Sequence, residues 1–179
     1  NLWELFLRGG WVMWPILFLS LVSLAVILER IFYFLFGAPR TQKRFSDKLA
    51  RMELPNPFPG EEYWQGVIQK EIQPFSDESE RGLYLLSAIS TLAPLLGLLG
   101  TVTGMVRSFM VIERLGWEVD PALLAGGIWE ALLTTVFGLV VAVPTLLAYY
   151  IFDAYATRFI RKLEWMGMER REALKKEGK

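Results

Sequence analysis

The sequence predicts an all-α membrane protein with three transmembrane helices, and two observations lead to this fold class. Hydrophobic residues make up 53% of the 179 residues, and the mean hydropathy is +0.33. Three long stretches, 12–28, 83–106 and 131–152, contain no charged residue. A helix of about 20 apolar residues crosses the hydrocarbon core of a bilayer, and these stretches have that length and purity.

The distribution of basic residues predicts the orientation of these helices. Seven Lys and Arg residues lie in 38–82 and eight in 153–179, whereas 1–12 and 113–129 carry one each. Loops rich in Lys and Arg stay on the cytoplasmic side of a membrane. We therefore expect the N-terminus outside the cytoplasm, and both the long loop and the C-terminal tail inside it.

Together these patterns divide the chain into seven segments. We expect an outer-face interfacial helix at 1–10, transmembrane helix 1 at 11–37, a cytoplasmic segment with short amphipathic helices at 38–82, transmembrane helix 2 at 83–112, a periplasmic turn at 113–126, transmembrane helix 3 at 127–152 and a basic cytoplasmic helical tail at 153–179.

The composition also excludes several classes of chemistry. The chain has no cysteine and no histidine, so a disulfide, a thiolate metal site and an imidazole base are all excluded. No nucleophile–base set and no cluster of metal ligands is recognisable. We therefore expect no enzymatic activity, no metal, no cofactor and no nucleic-acid partner.

Two of the predicted spans carry a stripe of small and hydroxylated residues along one helix face. Small residues let membrane helices approach closely, which accounts for the glycines and alanines, including the GxxxG pair Gly100 and Gly104. The threonines have two interpretations: they bond to carbonyls of their own helix, or they line a polar pathway. The stripes are Ser90, Pro94, Gly97, Thr101, Gly104 and Ser108, and then Gly127, Ala131, Thr135, Gly138, Ala142 and Thr145.

Glu130 is a charged residue in the first turn of the third span. An ionised carboxylate in hydrocarbon costs a few kcal/mol or more, and less towards the interface. One interpretation is an interfacial anchor or a partner of the helix N-terminal dipole. The other is the polar access point of a pathway, beside Thr134 and Thr135. Arg107 in the second span is a possible electrostatic partner of Glu130 or Glu113.

Both spans resemble those of the MotA/TolQ/ExbB proton-channel family, most closely its ExbB and TolQ branches. The stretch APLLGLLGTVTGMVRSF, 93–109, is similar to the family pattern A-P-x-x-G-L-x-G-T-V-x-G-M/I-x-x-x-F. The stretch GIWEALLTTVFGLVVAVPTLLAYYIF, 127–152, is similar to G-I-x-E-A-L-x-x-T-x-x-G-L-x-x-A-I-P-x-x-x-x-Y-N. Arg107 and Tyr150 depart from the pattern, and the compact segment 38–82 argues against the flagellar MotA branch.

The resemblance implies a homo-oligomeric, pentameric ring in the bacterial inner membrane, with the second and third spans around a central pore. It implies an ExbD/TolR-like single-span partner whose membrane aspartate carries protons, the coupling ion, and a further TonB/TolA-like protein. Glu130, Thr135 and Thr101 match the family's functional glutamate and threonines, and Pro144 matches its proline.

The expected function is thus a motor subunit that uses the proton motive force for work at the outer membrane. Two alternatives stay open. One is a related motor module for gliding, secretion or defence, and the other is a membrane scaffold that conducts no ions.

Overall fold

The computed structural model describes residues 9–51, 60–115 and 121–177, and every regular element among them is helical. A single turn of π-helix, Tyr33–Gly37, separates the first two α-helices. The α-helices are α1 (Met13–Phe32), α2 (Ala38–Ala50), α3 (Glu61–Leu115) and α4 (Pro121–Glu177).

Three helical stretches are long and apolar enough to cross a membrane. They are Met13–Ala50, Glu61–Arg114 and Ala125–Lys176. The all-helical fold with three membrane-length helices is therefore confirmed. Most of the interfacial helix predicted at 1–10 lies outside the described residues, as do 116–120 of the predicted periplasmic turn.

Helices α3 and α4 extend well beyond the apolar stretches that they contain, to 55 and 57 residues. Short amphipathic helices were expected in 38–82. The later of them, at 61–72, is not a separate element, because these residues form the first turns of α3. Beyond Phe152, α4 continues without interruption through the basic tail to Glu177.

The first of two compact units comprises residues 1–27 and 85–149. Its large apolar side chains are mostly exposed, among them Leu98, Phe109 and Val143. Contiguous apolar surface of this kind requires lipid or other protein to cover it. Its described interior includes small or hydroxylated residues: Ser23, Ser90, Ala93, Gly97, Ser108, Ala131, Thr134, Gly138, Ala142 and Thr145.

The second unit, residues 28–84 and 150–179, contains an apolar cluster formed by α2, the start of α3 and the end of α4. The Trp64 indole N–H donates to the Gly167 carbonyl at 3.1 Å, and Ile68 packs against the same glycine. The buried members of the cluster are Phe45, Leu49, Trp64, Ile68, Ile72, Leu163 and Leu174.

A buried arginine joins α1 to α3 within this second unit. Arg30 is only 5% exposed, and its Nη1 donates to the Glu78 carbonyl at 2.9 Å and to the Ser79 carbonyl at 3.4 Å. Its Nε lies 2.8 Å from Oε2 of Glu29. Gly82 makes room for the guanidinium, since a Cβ at that position would overlap it.

Candidate functional site

Helices α3 and α4 meet at Gly97, where two threonine hydroxyls converge on one carbonyl. Thr134 Oγ1 lies 3.1 Å and Thr135 Oγ1 3.0 Å from the Gly97 oxygen, and both hydroxyls donate towards it. A Cβ on Gly97 would lie 2.9 Å from the Cα of Thr135 and 3.0 Å from the Thr134 oxygen. Only glycine allows this approach, because the opposing atoms are backbone.

Three more glycines lie in the same contact between α3 and α4: Gly104 and Gly138 of the predicted stripes, and Gly100 of the GxxxG pair. A Cβ on Gly138 would lie 2.6 Å from the Ala93 carbonyl oxygen, and one on Gly104 would lie 2.6 Å from the Ala131 Cβ. The Thr134 side chain occupies the space beside Gly100. The small residues of both spans thus face each other within one chain, which is the arrangement that close packing requires.

Thr101 does not join the Gly97 contact. Its hydroxyl donates to the Leu98 carbonyl of its own helix at 2.7 Å, and its side chain is half-buried. Thr135 is also half-buried, whereas Thr134 is 2% exposed and shares its one proton between the Gly97 carbonyl and the nearer Ala131 carbonyl, at 2.7 Å. Of the three predicted pathway threonines, Thr134 is therefore the most enclosed.

Glu130 and Arg107 line one small cavity of about 20 Å³, together with Thr103, Thr134 and Gly10. Gly10 has φ +70°, a conformation that favours glycine, and a Cβ there would lie 3.4 Å from Oε1 of Glu130. Among the described residues no ion pair joins Arg107 to Glu130. Their electrostatic partnership stays a prediction, although the structure brings both to one cavity.

Pro144 lies inside α4 with an exposed ring. Because proline has no amide hydrogen, the carbonyl of Val140 lacks its usual intrahelical donor. This leaves one polar backbone group available in the apolar part of α4.

A buried hydroxyl pair between α1 and α4 was missed by the sequence reasoning. Ser23 Oγ lies 2.6 Å from Thr145 Oγ1, which itself lies 2.7 Å from the Val141 carbonyl. Because Thr145 donates to that carbonyl, Ser23 donates to Thr145. Thr145 belonged to the predicted stripe, but nothing in the sequence distinguished Ser23 from Ser20.

Among the described residues, no group of three or more acidic side chains is placed to hold a metal ion. The polar groups of the contact are instead hydroxyls, one carboxylate and backbone carbonyls. Such groups accept and pass hydrogen bonds and can hold water, which is chemistry suited to a proton.

The chain has three membrane-length helices, and two of them, α3 and α4, contact each other through glycines and hydroxyls. These features define a multi-pass helical membrane protein. The α3–α4 contact formed by Gly97, Thr134 and Thr135, together with Glu130 one turn away, is called the polar seam below. The particular family follows from comparison with known sequences. The chain belongs to the MotA/TolQ/ExbB proton channel family, whose sequence model matches residues 41–165.

Named relatives place the chain in the ExbB branch. It is 32% identical over 173 residues to a putative ExbB-like biopolymer transport protein of Synechocystis, covering 80% of this chain and 67% of the relative. It is 26% identical over 187 residues to the biopolymer transport protein exbB1 of Vibrio cholerae, which covers 87% of this chain and 80% of the relative. It is 36% identical over 97 residues to ExbB of Neisseria gonorrhoeae, which covers 54% of this chain and 44% of the relative. The resemblance seen in the two spans is thereby confirmed.

Proposed function

We propose that this chain is the ring-forming subunit of a proton-driven ExbB/TolQ-type motor in a bacterial inner membrane. With an ExbD/TolR-like partner it converts the proton motive force into work for TonB-dependent import or for a Tol-Pal type system. The observation that carries the proposal is the polar seam: Glu130 and its cavity lie one helical turn from the hydroxyls that converge on Gly97. Membership of a proton channel family supports it.

The direction of the threonine hydrogen bonds bears on the proposed chemistry. A hydroxyl has one proton to donate and two acceptor lone pairs. Thr135 donates to Gly97 and Thr101 donates to Leu98, so both offer lone pairs to any further group. Lone pairs bind the O–H of a neutral carboxyl group or of water, and they do not bind a carboxylate. Such a wall therefore favours the protonated form of a partner aspartate beside it.

Glu130 has a different role in the proposal. Its cavity of about 20 Å³ has room for one water molecule, and Thr103 and Arg107 supply further polar groups to its wall. A carboxylate and a water at this position of α4 would pass protons between the outer aqueous phase and the hydroxyls one turn deeper.

The pentameric ring in this proposal rests on the family resemblance and on the exposed apolar surface of the first unit. The most apolar windows of the three helices are only 17%, 33% and 28% buried within one chain. Packing against identical copies and against a partner helix would cover part of this surface.

The proposal is tested by measuring proton flux in vesicles that contain the chain and its single-span partner. We expect Thr135→Val and Glu130→Gln to abolish flux, because valine removes the hydroxyl and glutamine removes the carboxylate that takes up a proton, each at nearly constant volume. Thr135→Ser restores the hydroxyl and should restore flux. Thr91→Val is the matched control, since the exposed Thr91 hydroxyl donates to the Ser87 carbonyl of its own helix and, among the described residues, reaches no other helix.

Each variant must first show the same oligomer and the same bound partner as the unmodified chain. Full flux in both Thr135→Val and Glu130→Gln would then exclude these residues from the pathway. Flux lost equally in Thr91→Val would show that the assay reports general damage.

A scaffold without ion flow is the second candidate function, and one observation favours it. The Thr134 and Thr135 hydroxyls both donate to a backbone carbonyl of α3, which is what a purely structural contact requires. Under this alternative, vesicles with the partner present carry no proton flux above that of empty vesicles. Proton flux measured with the unmodified protein alone therefore distinguishes the two functions.

A further inference from the structure

The second unit contains a groove of about 480 Å³ between the end of α1 and the middle of α4. Its volume falls within the range of clefts that hold small-molecule ligands, about 300–1,000 Å³. Its lining residues are mainly apolar or aromatic, with two basic residues. The groove belongs to neither the polar seam nor the cavity beside Glu130.

The π-helical turn Tyr33–Gly37 forms one wall of this groove. Phe34 in that turn stacks on Phe152, with ring centroids 5.9 Å apart, and tilts against Tyr155 at 6.3 Å. Single π-turns are rare and often mark functional sites. The turn leaves Leu35 and Tyr155 more than half exposed, so apolar surface stays uncovered in the groove.

Two positive charges lie at one end of the apolar wall. Arg158 and Lys162 are four residues apart on α4, so they share a helix face, and both line the groove. Both are exposed, and among the described residues neither has an ion-pair partner. No acidic residue of the described ranges lines the groove. The wall therefore runs along α4 from apolar rings at Phe152 and Tyr155 to two uncompensated cations.

We propose that this groove binds one anionic phospholipid of the phosphatidylglycerol type. The phosphate lies between Arg158 and Lys162, and part of an acyl chain lies along Leu35, Phe34 and Tyr155. The order of the wall, apolar and then basic, matches the order of tail and headgroup in a phospholipid. Basic pockets between membrane helices at the cytoplasmic side bind anionic headgroups in this way. The proposal does not depend on proton conduction.

The test compares lipid binding by native mass spectrometry after the purified chain has been delipidated in mild detergent. Phosphatidylglycerol and phosphatidylcholine with identical acyl chains are the two probes. We expect a roughly 30-fold preference for phosphatidylglycerol, which is the effect of two basic residues near a membrane surface. The double variant Arg158→Gln with Lys162→Gln should lose that preference.

Matched controls test whether a change in lipid binding comes from the groove itself or from a general loss of charge or of folding. Arg161→Gln with Lys175→Gln removes two exposed charges of α4 that do not line the groove, and it should keep the preference. Leu35→Trp fills the apolar part and keeps both cations, so it should weaken phosphatidylglycerol binding. Leu28→Trp, at an exposed position outside the groove, should not.

Three kinds of result would overturn the proposal. The first is equal binding of both lipids by the unmodified chain, or an unchanged preference in the Arg158/Lys162 double variant. The second is displacement of the lipid by millimolar inorganic phosphate, which would indicate a site for the free anion. The third is crosslinking of Leu35→Cys to a second copy of the chain at high yield, which would make the groove an interface between subunits.

Discussion

At the scale of single residues, the Gly97 carbonyl is the point on which the proposed site depends. Two hydroxyls donate towards it, and backbone atoms of α4 approach to a distance that only a glycine permits. A side-chain hydrogen bond between membrane helices contributes on average about 0.6 kcal/mol, and at most about 1.7 kcal/mol. Two such bonds together therefore contribute about 1 kcal/mol, and the contact depends also on the close backbone approach that Gly97 permits.

The first prediction concerns the substitution Gly97→Ala. A Cβ would lie 2.9 Å from the Thr135 Cα, so the helices must separate and both threonine bonds lengthen. We expect a loss of about 1–3 kcal/mol of stability from overpacking, which exceeds the gain of about 1 kcal/mol that alanine brings to a helix. A denaturant titration in detergent measures the free energy of unfolding of both proteins and so gives the difference.

The control for this prediction is Gly126→Ala on α4. A Cβ there would meet nothing within 4 Å, so only the helix-propensity gain remains and stability should stay equal or rise. If Gly97→Ala were as stable as Gly126→Ala, the close approach of α3 and α4 at Gly97 would not exist.

At the scale of elements, the end of α1 is attached to α3 by one buried side chain. Arg30 donates to two carbonyls of α3 and fills the space that Gly82 leaves. A buried charge is costly unless hydrogen bonds or an opposite charge compensate it; here two helix carbonyls accept hydrogen bonds from Arg30, and Glu29 forms an ion pair with it. In the sequence, Glu29 and Arg30 are only two adjacent residues of opposite charge, and nothing there indicates that Arg30 is buried against α3.

The second prediction tests this attachment with Gly82→Ala and Arg30→Lys. The new methyl group displaces the guanidinium from its carbonyls, and lysine has a single nitrogen that cannot lie both at these carbonyls, as Nη1 does, and beside Glu29, as Nε does. We expect each change to cost about 1–3 kcal/mol, the usual penalty for lost hydrogen bonds to a charged group.

Gly66→Ala on the same helix is the comparison for this pair, since a Cβ there would meet nothing within 4 Å. The double variant should be less destabilised than the sum of the two single variants, because both remove the same contact. Fully additive losses would argue that Arg30 and Gly82 act independently.

At the scale of the whole molecule, the distribution of charge and of exposed apolar surface governs how the chain sits in a membrane. Fifteen basic residues lie in the two segments predicted to be cytoplasmic, seven in 38–82 and eight in 153–179. The absence of cysteine is useful here, because any introduced cysteine is the sole thiol of the chain.

The third prediction uses this property to test the proposed orientation. A membrane-impermeant maleimide applied to intact spheroplasts should label Gly126→Cys and leave Lys176→Cys unlabelled. After permeabilisation both should react, because both positions are exposed in the structure. The reverse labelling pattern would invert the proposed topology and with it the assignment of Glu130 to the outer side.

Much of the architecture was predictable because it depends on one-dimensional properties of the chain. The three apolar stretches and the helical periodicity of their small residues predicted the membrane helices and the faces on which Gly97, Gly138 and Thr135 lie. Glu130 was recognisable because a charge beside a long apolar run is expensive. The family was identified from the same residues, and the comparison with known sequences confirmed it.

The tertiary structure alone decided which of these groups meet, because contacts between residues far apart in the chain depend on helix register and approach. The convergence of two hydroxyls on Gly97, the Ser23–Thr145 pair and the burial of Arg30 beside Gly82 all arise in that way. The groove at the π-turn also depends on tertiary structure, because Phe34 in that turn stacks on Phe152 of α4. Hydropathy and charge thus determine which segments enter the membrane, whereas side-chain geometry between helices determines what those segments can bind or carry.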